Sequence, residues 1–177
     1  GEFTLPLGVP EILREGTDVT VVTYGALCRI ALEATEALGA LGISVELIDA
    51  RTLAPFDIRR SIVESVKQTG ALLVLDEDVP GGASAYIARK ILEEQSAYEY
   101  CEVTPRTLTA KDNRAGVGQD AEYFSKPSRE DIVEAVYSLL RRGTLAPTSM
   151  GPRPIRRPTI STTSSRSPPP IRMTSSP

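Results

Sequence analysis

The chain of 177 residues contains no histidine and only two cysteines, Cys28 and Cys101. Without His it lacks the commonest metal ligand, the usual general base near neutral pH and the usual partner of Ser and Cys nucleophiles. Any catalysis would have to rest on carboxylates, Lys, Tyr or a bound cofactor. Two cysteines are too few for a disulfide framework and have no metal-ligand spacing, which points to a reducing, cytoplasmic setting. No apolar run is long enough to cross a bilayer and no charged-then-apolar leader opens the sequence, so no membrane partner is expected. The segment Glu2 to Pro10 reads as the middle of something, and a truncated amino-terminal portion is the expectation.

Acidic residues are absent from one stretch. All 23 Asp and Glu lie between Gly1 and Arg142 together with 15 basic residues, a balance of −8, whereas 143–177 holds five Arg and no acid. Within 143–177, 21 of 35 residues are Pro, Ser or Thr, a composition too poor in apolar side chains to order itself. This tail, expected to be disordered, is compatible with a solvated linker, a cloning remnant, wrong-frame translation or a basic arm. Five Arg without Lys or interleaved aromatics make a poor nucleic-acid footprint, so no nucleic acid is expected. The length suits one ordinary domain plus a remainder: a lead-in over residues 1–17, a folded domain over 18–142 and the tail over 143–177.

Within 18–142, short apolar strands alternate with amphipathic helices. Asp18 to Tyr24 is rich in β-branched residues and closed by Gly25, Ile43 to Ile48 is a second strand, and Ala71 to Leu75 is uniformly apolar, as a strand covered on both faces should be. The first helix carries Leu27, Ile30, Ala31, Ala34, Leu38 and Leu41 on one stripe and stops at Gly42. The second is capped by Asp57, aligns Ile58, Ile62 and Val66, and stops at Gly70. A third runs from about Ala83 to Gln95. Val103 to Thr109 contains Pro105 and reads as an edge strand. Lys111 to Pro127 reads as a loop, and Ser128-Arg129-Glu130-Asp131 opens a last helix with Ile132, Val133, Val136, Leu139 and Leu140 on its buried face. The fold class is α/β, three layers α/β/α with a mainly parallel sheet, because parallel strands are joined only through crossovers.

Four groups of residues carry candidate chemistry. Arg51 with Asp49 sits where the second strand meets solvent, and a surface or subunit-interface ion pair is favoured over catalysis. Gly81 and Gly82 precede a helix whose amides could surround an anion, although a tight helix-entry turn explains them as well. Asp76, Glu77 and Asp78 lie at the carboxyl edge of the sheet, where open α/β folds bind ligands. Adjacent residues on a strand point to opposite sides, so a solvated, helix-capping acidic turn is favoured there. Glu102, just before the edge strand, reads by itself as an exposed acid.

The segments Pro6-Leu7-Gly8, Leu13 to Gly25, Ile48 to Asp57 and Ile62 to Gly70 follow one another at a spacing that resembles the carboxy-terminal domain of the transketolase family. The resemblance is to the beta subunit of the decarboxylating component of pyruvate or branched-chain 2-oxo acid dehydrogenase complexes. It implies a parent enzyme that oxidatively decarboxylates a 2-oxo acid with thiamine diphosphate and magnesium. The cofactor is implied to lie between an alpha-subunit domain and the beta subunit's amino-terminal domain, so the resemblance assigns this chain no catalytic, cofactor-binding or metal residue. Implied partners are a beta-subunit dimer mate, the alpha subunit or alpha domain, and the subunit-binding domain of the acyltransferase component, with Glu102 on the docking surface. The family more often has His-Glu where Asp76-Glu77 stands. A free-standing α/β interaction or ligand-binding module, and the same domain of another thiamine enzyme such as a transketolase, are the rival readings.

Overall fold

The computed structural model describes residues 4–113, 123 and 125–144. Residues 114–122, which make up much of the expected loop, and the tail from 145 onward lie outside the described residues. Five strands, β1 (Glu11–Arg14), β2 (Val19–Thr23), β3 (Val45–Asp49), β4 (Leu72–Leu75) and β5 (Arg106–Leu108), form one sheet in the order β1-β3-β2-β4-β5. β2, β3, β4 and β5 are parallel, and β1 is antiparallel to β3. The helices are α1 (Leu27–Ala40), α2 (Ser61–Thr69), α3 (Ala83–Arg89) and α4 (Arg129–Thr144).

The strand composition follows from the layering. All residues of β2 and β4 are buried, since central parallel strands are covered on both faces. Val19, Val21, Leu47, Leu73 and Leu75 pack against α1 and α4, while Val22, Ile48, Leu72 and Val74 pack against α2 and α3. Of the two polar residues in β2, Thr23 donates its hydroxyl to Leu75 O at 3.3 Å, and the fully buried Thr20 joins Ser65 and Thr69 of α2 through hydroxyl hydrogen bonds of 2.6 and 2.7 Å. A buried hydroxyl left without such a partner would be costly.

Several boundaries differ from the sequence expectation, each for a local reason. The lead-in supplies a strand: Glu11 to Arg14 pairs with β3 across an irregularity between Ile12 and Arg14. Gly16 then lets the chain pass so close to β3 that a Cβ there would lie 2.1 Å from the Val45 carbonyl carbon. Ile58 does not belong to the face of α2; it is 61% exposed, and the helix begins at Ser61. Asp57 still caps it, accepting from Ser61 N at 2.8 Å and Ile62 N at 3.0 Å, but Arg60 in a left-handed conformation separates cap from helix. Leu41 leaves the buried stripe of α1 and is 62% exposed, because the helix ends at Ala40. The helix after Gly82 turns from α-helical to π-helical at Lys90–Glu94. The edge strand expected near Pro105 is β5, and Pro105 stands just outside it, as its missing N–H requires. Ser128 caps α4 reciprocally with Asp131, Ser128 N donating to Oδ2 at 2.9 Å and Asp131 N to Ser128 Oγ at 3.2 Å.

Candidate functional site

Tyr24, Asp49 and Asp76 follow the carboxyl ends of three neighbouring strands or close them. β2 and β4 run in constant register, Thr20 beside Leu72 through Val22 beside Val74. Continued past the strand ends, that register sets Tyr24 beside Asp76. The Tyr24 hydroxyl donates to Asp76 Oδ1 at 2.5 Å, joined there by Asp78 N at 3.0 Å, while Ser84 N donates to Oδ2 at 2.6 Å. Asp76 is therefore fully buried, not solvated as the sequence suggested, and it caps α3 from the end of the neighbouring strand.

The electrostatics follow from this lock. Burial alone would push the Asp76 carboxyl up, but the hydrogen bonds from Tyr24, Asp78 and Ser84 outweigh it and hold the carboxyl below the ordinary carboxylate range. The Tyr24 phenol is pushed well above the usual tyrosine value by burial, by its bond to Asp76 and by the charges of Asp76, Glu77 and Asp78. Glu77 and Asp78 do not converge with Asp76 on a common centre. Glu77 reaches Lys126 at 3.5 Å, and Asp78 Oδ1 accepts from Val79 N at 2.8 Å. Among the described residues no group of three or more Cys, Asp or Glu is arranged to hold a metal ion.

A cleft of about 910 Å³ opens at this edge, with Gly25, Cys28, Asp49, Glu77 and Lys126 among its lining residues. The thiol of Cys28 is pushed up to about 12 by burial and then by the Asp49 carboxylate. It is consequently a neutral, unreactive thiol at physiological pH. Alkylation of Cys28 by iodoacetamide at pH 8, followed by peptide mass spectrometry, should run at least about a hundredfold slower than alkylation of free cysteine. A rate within threefold of free cysteine would place the thiol in a different environment.

The residues singled out in the sequence fall in three separate places. Arg51 has φ of 57°, its N–H donates to Asp49 Oδ1 at 2.9 Å, and its guanidinium pairs with Glu11 of β1. The ion pair thus closes within the chain, tying β1 to the end of β3. Gly81 and Gly82 open α3, but the amide of Ser84 already serves Asp76, so an internal carboxylate stands where an external anion would bind. Glu102 is exposed at the opposite end of the sheet, its N–H donating to Gly70 O at 2.7 Å. It borders a polar hollow of about 560 Å³ that also contains Asp18, Lys67 and Thr69. Sequence reasoning did not find the Tyr24–Asp76 bond or the Cys28–Asp49 contact. A signal for the first was present, since both residues end strands at polar junctions, but using it requires knowing that β2 and β4 are neighbours.

The family model described as the transketolase C-terminal domain matches residues 8–132. The chain belongs to that family. Within it, the similarity is to beta subunits of the pyruvate dehydrogenase E1 component. The Rhizobium meliloti (strain 1021) subunit is 35% identical over 136 residues, which cover 76% of this chain and 29% of the relative. The mitochondrial beta-1 subunit of Arabidopsis thaliana is 36% identical over 134 residues, 75% of this chain and 36% of the relative. The beta subunit of the acetoin:2,6-dichlorophenolindophenol oxidoreductase of Cupriavidus necator is 45% identical over 80 residues, covering 45% of this chain and 23% of that one. Among solved structures, an inactive beta4 tetramer of a split-gene transketolase superposes with a TM-score of 0.62 at 27% identity, over 78% of this chain and 44% of that one.

This transketolase C-terminal domain spans between 29% and 40% of the length of the pyruvate dehydrogenase subunits of Rhizobium and Rickettsia bellii. The segments behind the resemblance now have physical roles. Tyr24 locks Asp76, Asp49 positions the backbone of Arg51, and Asp57 caps α2. All three act inside the domain.

Proposed function

We propose that the chain is the assembly domain of a thiamine diphosphate-dependent 2-oxo acid dehydrogenase acting on pyruvate or a close relative, and that it holds no part of the active site. The observation that carries the reading is the family match over residues 8–132, together with the 35% identity over 136 residues to a pyruvate dehydrogenase E1 beta subunit. In the parent enzyme thiamine diphosphate supplies the carbanion chemistry. The residues described here do not suit a magnesium–diphosphate group. The two fully enclosed carboxylates, Asp57 and Asp76, are each taken up by internal donors, Ser61 and Ile62 for one and Tyr24, Asp78 and Ser84 for the other. Both are enclosed and already hydrogen-bonded, and among the described residues no group of three or more carboxylates or thiols is arranged around a cation.

The contribution of this domain is then a surface. Glu102 and Asp18 beside the polar hollow, with Lys67 stacked 4.8 Å from the ring of the exposed Tyr100, make a face that can accept a further cationic side chain. Such a face suits the basic subunit-binding module of an acyltransferase by charge complementarity. The partners in this reading are a second beta subunit, the alpha subunit and that module, in the cytoplasm. Isothermal titration of the chain with the subunit-binding domain of a pyruvate dehydrogenase acyltransferase should give saturable binding that weakens at least about tenfold with Glu102→Lys. Thiamine diphosphate with magnesium should give no heat of binding. Tight cofactor binding by the chain alone would move the active site into this domain and end the proposal.

A further inference from the structure

The loop from Arg51 to Arg60 is held in an unfavourable shape in order to face apolar side chains outward. Of four non-glycine residues with left-handed φ among the described residues, three lie in it: Arg51 at 57°, Asp57 at 34° and Arg60 at 57°. Such conformations persist only where the surroundings fix them. The surroundings do so here. Gly8 N donates to Thr52 Oγ1 at 2.8 Å, Ile58 N to Gly8 O at 2.9 Å, Thr52 Oγ1 to Pro55 O at 2.9 Å, and Arg60 Nη2 to Gln95 O at 2.7 Å. Beneath the loop, the Gln95 side chain donates to Asp57 O at 3.3 Å, while its buried Oε1 has no partner among the described residues.

The rigid result is an exposed hydrophobic face. Leu7 is 67% exposed, Ile58 61% and Leu53 37%. The two stretches of chain that carry them lie together, since a Cβ on Gly8, next to Leu7, would lie 2.9 Å from Pro55 Cγ and 3.0 Å from Ile58 Cγ2. The loop's one acid, Asp57, is turned inward as the α2 cap, whereas Arg59 is exposed with no acidic partner among the described residues. A fixed apolar face whose rim cation meets no acid among the described residues is suited to docking.

We propose that this face receives the domain that precedes residue 4 in the parent polypeptide, which meets it with apolar side chains and a carboxylate for Arg59. The inference rests on the family reading, in which this is a carboxy-terminal domain spanning 29% to 40% of its relatives' subunits. What singles out the preceding domain is position. The segment Leu5 to Gly8, through which any preceding chain must enter, is itself part of the face, so a domain arriving there is already beside it. A second copy of this chain is the alternative occupant, and its self-association is read in the same test.

The test compares this chain with the gene product extended upstream through its preceding domain, each as wild type, Ile58→Asp and Arg59→Glu, by calorimetric melting. In this chain both substitutions should shift the midpoint by no more than about 2 °C, since both sites are exposed. The extended wild type should melt in one transition. Ile58→Asp should split it in two, and Arg59→Glu should lower its midpoint by about 5 °C or more. Two independent transitions in the extended wild type, an unsplit Ile58→Asp variant, or a gene with no folded domain upstream would overturn the inference. So would self-association of this chain that Ile58→Asp abolishes, which would give the face to a second copy. Acyltransferase-module docking is read on the same samples. If docking is retained while Ile58→Asp has no effect on the extended protein, this inference falls and the proposed function stands.

Discussion

Replacing Asp76 with Ala should destabilise the domain by about 3–5 kcal/mol, because it removes one charged acceptor and strands several donors. Ser84 N, Asp78 N and the Tyr24 hydroxyl all converge on that carboxylate, which is 0% exposed. Water cannot replace it without an opening of the sheet edge. For a domain of this size the loss corresponds to a fall in midpoint of roughly 10–20 °C. Asp76→Asn keeps the volume and one acceptor oxygen but turns an NH₂ toward a donor, so an intermediate loss is expected. Urea unfolding at pH 7 measures both, and a loss below about 1 kcal/mol for Asp76→Ala would mean that the carboxylate does not hold the three elements together.

The same lock sets the pH dependence. The folded Asp76 carboxyl lies below its ordinary range, so its stabilising effect is fully present above the unfolded value of about 3.9 and is lost as pH falls through the folded value. The Tyr24 phenol is raised, so its contribution is complete below the unfolded value of about 10 and is lost as the pH climbs beyond it. Asp76→Ala should flatten the acid limb of the stability profile, and Tyr24→Phe the alkaline limb.

The sequence carried the layers and missed the links between them. Alternating strands and helices, the β-branched run at Val19 to Thr23 and the apolar run ending at Leu75 are local signals, and local signals specify which elements exist. β1 was missed because Glu11-Ile12-Leu13-Arg14 is a short edge strand with exposed side chains, so it has no burial pattern to read. Gly16 stood within a segment of family resemblance, yet its reason, the passage against Val45, appears only once β1 and β3 are paired. Asp57 was read correctly as a cap from its place after Pro55, whereas Ile58 was misplaced because a helical period cannot register a left-handed residue at Arg60. Asp76 was read as part of a solvated, helix-capping turn because adjacent residues on a strand point to opposite sides and cannot converge. Its burial depends on Tyr24, 52 residues earlier and one strand away, a distance across which periodicity carries no information.

Leu38→Ala should cost about 2–5 kcal/mol, the range for a large core side chain whose cavity cannot fully collapse. Leu38 is 0% exposed and belongs to the cluster that includes Val19, Leu47, Leu73 and Leu139. It stands where α1 packs on the sheet beside α4, and close-packed neighbours from both limit relaxation into the vacated volume. Leu41 is the matched control. It continues the same apolar stripe in sequence but is 62% exposed, so Leu41→Ala should change stability by less than about 0.5 kcal/mol. The pair separates what periodicity marks from what packing uses. Equal losses for the two variants in urea unfolding would show that α1 extends past Ala40 and buries Leu41. A negligible loss for Leu38 would mean that the face of α1 turned toward the sheet has been misassigned.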